Sequence, residues 1–180
     1  MGCASSKNKR KRQHLRDNFI VERQKCVQDD YQIIRQIGKG SIGIIYLAEN
    51  KIPQYCDLQH SGHAPKRQYA IKEIDGAMID HRAFDSLKTE VRLLKTLDHP
   101  FIIKFYGSYS HITGDREKLS VVMELCTGGT LDKFVPYDEA TANILVANIL
   151  EAVLYLHSNR VIHRDLKVRV IVTHFFCQND

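Results

Sequence analysis

Three glycines, Gly38, Gly40 and Gly43, stand between two β-branched runs and constrain the fold of this chain more than any other feature. Tyr31-Gln32-Ile33-Ile34-Arg35-Gln36-Ile37 leads into them and Ile44-Ile45-Tyr46-Leu47-Ala48 leads away. Strand, glycine turn and strand together predict a hairpin. With no Cβ in the way, backbone N–H groups at such a turn can approach phosphate oxygens. The same glycine spacing opens a dinucleotide-binding turn, but there a helix follows, and Ile44-Ile45-Tyr46 argues for a strand.

The next elements extend the pattern. Tyr69-Ala70-Ile71-Lys72 places a lysine on a strand between apolar neighbours. Phe84, Leu87, Val91 and Leu94 recur at spacings of 3, 4 and 3, which predicts a helix over 82–96. The segment 49–68 between the second and third strands is rich in Pro, Gly and His without periodicity, and predicts an extended loop. Residues 118–124 predict another strand, and Leu145, Ile149, Val153 and Leu156 mark one stripe of a helix over 138–158. Ile144, Val146, Leu150 and Leu154 cover other faces of that helix, so it is expected to be buried nearly all round.

In this order the motifs resemble those of eukaryotic protein kinases over residues 31–167. Gly38 to Ile45 is similar to the glycine-rich loop, Tyr69 to Lys72 to the strand that carries the ATP-binding lysine, and His163-Arg164-Asp165-Leu166-Lys167 to the catalytic loop. The resemblance implies an α+β fold: an antiparallel small-lobe sheet with one helix over 31–125, and a hinge with the first helical part of a large lobe over 126–167. It implies ATP as the nucleotide, with Ile37, Ile45 and Ala70 roofing the adenine and Met123 as gatekeeper. The backbone of Glu124 and Cys126 would hydrogen-bond the base. Lys72 would hold the α- and β-phosphates, paired with Glu90; Glu73 is rejected because neighbouring strand residues face opposite sides. Asp165 would orient the substrate hydroxyl, and Lys167 beside it favours serine/threonine specificity. Met-Gly-Cys at the start, the basic tail and Met123-Glu124-Leu125-Cys126 look most like calcium-dependent or calmodulin-dependent kinases.

After Lys167 the resemblance stops. Five residues beyond Asp165 the family has an asparagine that holds Mg²⁺, whereas this chain has Val170, and hydrocarbon offers no oxygen to a hard cation. The Asp-Phe-Gly metal triplet does not occur, and residues 168–176 form a β-prone apolar run. The expectation is a kinase sequence cut short in its catalytic loop and inactive as it stands, with no metal ligands. The alternatives are a membrane-tethered non-catalytic decoy for kinase partners and a weak ATP-binding module. The unfinished large lobe also predicts an exposed apolar patch.

The ends and the composition bound the setting. Residues 1–17 hold six basic side chains against Asp17, a net of +5, which equals the net charge of the whole chain. Gly2 and Ser6 fit an N-myristoylation site and Cys3 is placed for palmitoylation. One acyl chain anchors only marginally, so the second acyl site and the basic cluster matter: each basic residue adds about 1 kcal/mol at an anionic lipid surface. The tail, taken as 1–30, is expected to be disordered and to hold the protein at the cytoplasmic face of a membrane, the plasma membrane foremost, or to leave it in the cytoplasm if it is not lipidated. No aromatic residue lies among the charges to stack on bases, so nucleic acid is not expected. Scattered cysteines imply a reducing compartment, and Cys56, His60 and His63 lack a fourth metal ligand. No run looks long enough to span a bilayer.

Overall fold

The glycine hairpin forms one edge of a six-stranded sheet. The structure, a computed structural model, describes residues 21–51 and 67–167. Its strands are β1 (Val21–Arg23), β2 (Tyr31–Lys39), β3 (Ile44–Asn50), β4 (Gln68–Asp75), β5 (Phe105–Thr113) and β6 (Arg116–Glu124), in the spatial order β1-β5-β6-β4-β3-β2. All neighbours pair antiparallel except β1, which lies parallel to β5. The lipidation residues Gly2 and Cys3, the body of the 49–68 loop and the 168–180 run lie outside the described residues. The chain divides into two compact units, Met1–Thr96 with Phe105–Glu124, and Leu97–Lys104 with Leu125–Asp180.

Alternation along the strands gives the sheet two apolar faces. On one, helix α1 (His81–Leu94) buries Phe84 and Val91 against Ile74, Phe105, Leu119 and Val121. Asp80 caps this helix, accepting hydrogen bonds from the Arg82 and Ala83 N–H groups at 3.0 and 3.3 Å. The helix ends at Leu94, within two residues of the expected stop, where Arg92 suits the negative end of the helix dipole.

The other face was not foreseen. Tyr31, Tyr69 and Tyr109 pack edge to face with Val27, Ile71 and Val122. Val27 sits in a 3-10 turn (Val27–Asp29) and is only 2 % exposed. The expectation of a disordered tail to residue 30 is therefore corrected: residues 21–30 add a strand and a core residue to the small lobe.

In the second unit, helix α2 (Glu139–Ser158) is capped by Asp138, which accepts from the Thr141 N–H at 2.8 Å. A 3-10 turn (Leu131–Phe134) precedes it, and the Tyr137 hydroxyl donates to the Leu131 carbonyl. Tyr155 anchors the helix to the turn at 98–99: its hydroxyl accepts the Asp98 N–H at 2.9 Å and its ring lies 4.9 Å from His99. Leu156 is buried and the rest of its stripe half-buried, as the periodicity predicts. Burial all round is not observed. Ile144, Val146, Leu150 and Leu154 are 53–70 % exposed, since nothing among the described residues covers them. By length and apolarity α2 is also long enough to cross a bilayer, contrary to the sequence expectation.

Candidate active site

The small-lobe half of the site is built by strand register. β3 and β4 pair Ile45 with Lys72, and β4 and β6 pair Ala70 with Met123. Directly paired residues point to the same side, as do residues two apart on a strand, so these four side chains share one face. It is the face that carries α1, because Val121, opposite Lys72, packs in the α1 core. Gly38 pairs with Ile45, which brings the glycine turn beside that group. Ile37, just before it, is 39 % exposed.

The glycines are not equivalent. The Gly40 N–H donates to the Gly43 carbonyl at 2.8 Å and closes the turn. A Cβ on Gly43 would lie 2.5 Å from the Glu73 carbonyl oxygen, so only glycine lets the hairpin settle on β4. A Cβ on Gly40 would meet nothing nearer than 3.7 Å. Gly43 is thus required by packing, while Gly40 leaves space on its open side.

Lys72 and Glu90 are not brought together. No hydrogen bond or ion pair joins them among the described residues, and Glu90 is exposed. The helix is tied to the sheet instead through Lys88, whose ammonium lies 2.5 Å from Glu117 of β6 and 4.7 Å from the Phe84 ring centre. Glu117 also accepts from the Ser110 hydroxyl of β5 at 2.5 Å. Burial alone would raise the Glu117 pKa; the hydrogen bonds from Lys88 and Ser110 outweigh it and hold the carboxyl below its ordinary range. Glu73 is engaged by Lys118 at 3.2 Å.

The residues expected to form the hinge follow β6. Glu124 closes the strand opposite Tyr69, and Cys126 is half-buried beyond it. In the second unit, 163–167 is a loop without helix or strand. The Asp165 N–H donates to the His163 carbonyl at 2.9 Å, and Arg164 between them adopts φ 66°, a left-handed conformation uncommon outside glycine. That turn sets Asp165 and Lys167 side by side, Nζ to Oδ2 at 2.8 Å, both well exposed. A carboxylate and an ammonium held this way can orient a hydroxyl proton and offset charge on a transferring phosphoryl group.

Residues 31–174 match the family model for the protein kinase domain. The chain belongs to the protein kinase family. Similar kinases include myosin light chain kinase A of Dictyostelium discoideum, 39 % identical over 78 % of this chain and 44 % of that protein. Calcium/calmodulin-dependent protein kinase type 1 of Macrobrachium nipponense is 37 % identical over 79 % of this chain and 38 % of its own length. Calcium-dependent protein kinase 5 of Plasmodium berghei is 40 % identical over 73 % of this chain and 21 % of its own length. The kinase chain thus spans less than half the length of these relatives.

Kinase chemistry uses ATP and Mg²⁺, and the two fit this chain differently. Apolar Ile45, Ala70 and Met123 on one face with Lys72, beside the open glycine turn, suit a nucleotide with its phosphates. The metal finds no such set: no cluster of three His, Cys, Asp or Glu side chains exists among the described residues, and the family's asparagine position is Val170, outside them. The Lys88–Glu117–Ser110 network is barely written in the sequence. Its only signal was a lysine on the inner side of the α1 stripe, one turn after Phe84.

Proposed function

We propose that this chain is the ATP-binding portion of a serine/threonine protein kinase and that, with Val170 in place, it does not itself transfer phosphate. The observation that carries the reading is the register that sets Ile45, Ala70, Lys72 and Met123 on one face beside the glycine turn. In this reading Ile37, Ile45 and Ala70 cover the adenine, and Glu124 and Cys126 meet its edge with backbone groups. N–H groups of Gly38, Gly40 and Gly43 approach the phosphates, and Lys72 neutralises them. Glu90 becomes the partner of Lys72 once α1 turns it inward. Asp165 and Lys167 keep their places beside a protein hydroxyl. Phosphoryl transfer is positioning plus charge neutralisation, so loss of the metal-holding side chain removes turnover rather than trimming it.

A phosphotransfer assay with ATP, Mg²⁺ and a generic basic protein acceptor tests this. Wild type is expected to match the Asp165→Asn background. Transfer by wild type that Asp165→Asn abolishes overturns the inactive reading.

A second reading is a membrane-tethered, non-catalytic partner of kinases. It is favoured by Glu90 standing exposed and apart from Lys72 and by the exposed apolar residues of α2. Gly2 and Cys3 would carry the acyl chains, and the basic tail would meet anionic lipid at the cytoplasmic face. Labelling with an alkynyl myristate analogue, lost in Gly2→Ala, is the expected outcome. Unlabelled wild type removes the tether.

A further inference from the structure

Residues 21–30 enclose one strand of the sheet. The backbone of β1 pairs Arg23 with Tyr109 of β5, at the sheet edge. Downstream, Asp30 gathers Arg23 and Lys25, each at 2.6 Å, and accepts the Tyr109 hydroxyl at 2.7 Å. Val27 between them fills the tyrosine nest. The Lys51 N–H donates to the Asp30 carbonyl at 2.8 Å and the Lys51 ammonium to the Gln28 carbonyl at 2.6 Å, which fixes the far end of the segment. Ten residues are thus held at the edge strand, at one buried side chain and at one charge cluster.

β5 alternates between two clients. Tyr109 turns to this segment, while Ser110 turns the other way and supports Glu117, which holds Lys88 of α1. Gln24 also borders the shallow groove lined by Lys88, Val91, Arg92 and Glu117, so the segment reaches the helix side directly. Val91 directly follows Glu90. We propose that residues 21–30 are a strap whose seating on Tyr109 sets the position of helix α1, and with it the position of Glu90. The strap therefore couples whatever holds the N-terminal tail to the helix that must turn for Lys72 to gain its partner. Only the role of Glu90 rests on the kinase reading above; the coupling between strap and helix does not.

Hydrogen exchange on the full chain, without nucleotide, tests the coupling, so a chain that fails to bind ATP still gives a clear answer. Asp30→Asn removes the charge hub with little change in shape. Exchange in peptides covering 105–113 and 81–94 is expected to rise about tenfold together, the equivalent of one lost charge-assisted hydrogen bond, while 139–158 stays unchanged. Asp30→Glu, which keeps the carboxylate, is expected to restore protection in both. A rise confined to 105–113, no rise, or an equal rise in all three peptides overturns the strap's hold on the helix. Val27→Ser unseats the plug by a second route and is expected to produce the same paired rise.

Discussion

Lys88 reaches Glu117 at 2.5 Å, while Glu90, two residues further along the same helix, stands exposed and apart from Lys72. Residues two apart on a helix point in nearly opposite directions, so Lys88 sets which face α1 offers to the sheet. Both partners of the pair are about one quarter exposed, which places it between a surface and a buried ion pair.

Lys88→Met is expected to cost about 1 kcal/mol, read as a lower midpoint in chemical denaturation. Glu117→Gln, which keeps shape and hydrogen bonding to Ser110, is expected to cost no more than that. A loss above about 3 kcal/mol in either variant would mark the pair as fully buried, against the observed exposure.

Acid should loosen the small lobe. Asp30 is held below its ordinary value of 3.8: burial pushes it up, but hydrogen bonds from Lys25 and Tyr109 and the charge of Arg23 outweigh that. Glu117 is likewise lowered from 4.5. A carboxylate with a depressed folded-state pKa contributes stability above its unfolded value and loses it as pH falls through the folded value. The melting temperature of wild type should therefore fall more steeply below about pH 4 than that of the Asp30→Asn, Glu117→Gln double variant. Parallel curves for the two proteins would deny these groups the role.

Gly43→Ala and Gly40→Ala should separate cleanly. At Gly43 the new Cβ would collide with the Glu73 carbonyl, and overpacking of this kind costs about 1–3 kcal/mol. At Gly40 the space is open, so folding stability is expected to stay within about 0.5 kcal/mol. Equal thermal shifts for the two would contradict the close approach of Gly43 to β4.

The sequence carried the hairpin, α1 and the α2 stripe because each is written in local chemistry: glycine turns, strand alternation, a 3–4 period with an aspartate cap. Lys72 was placeable for the same reason, lying on an alternating strand. β1 was not, since Val21-Glu22-Arg23 shows no alternation and becomes a strand only by pairing with β5, more than eighty residues away. Nor was Val27, one apolar residue in a polar stretch whose burial depends on Tyr69 and Tyr109, far along the chain, as well as on nearby Tyr31. For α2, composition said apolar on every face, but what covers a face is a tertiary fact. The choice of Lys88 over Glu90 as the tie to the sheet is tertiary too.

The exposed face of α2 has a measurable consequence. Val146, Leu150 and Leu154, at four-residue spacing, make an exposed apolar strip along α2, and such strips drive association. Leu150→Glu with Leu154→Glu is expected to reduce self-association and dye binding by the chain without lowering its helix content. A wild-type chain already monomeric at high concentration would show that the strip is covered.

Nucleotide titration followed by thermal shift, on wild type and Lys72→Ala, bears most directly on the proposed ATP site. Wild type should gain melting temperature with rising ATP and show saturation, while Lys72→Ala should keep the wild-type melting temperature without ATP and lose most of the gain. No gain in wild type, or an equal gain in both proteins, would contradict a phosphate site built on Lys72.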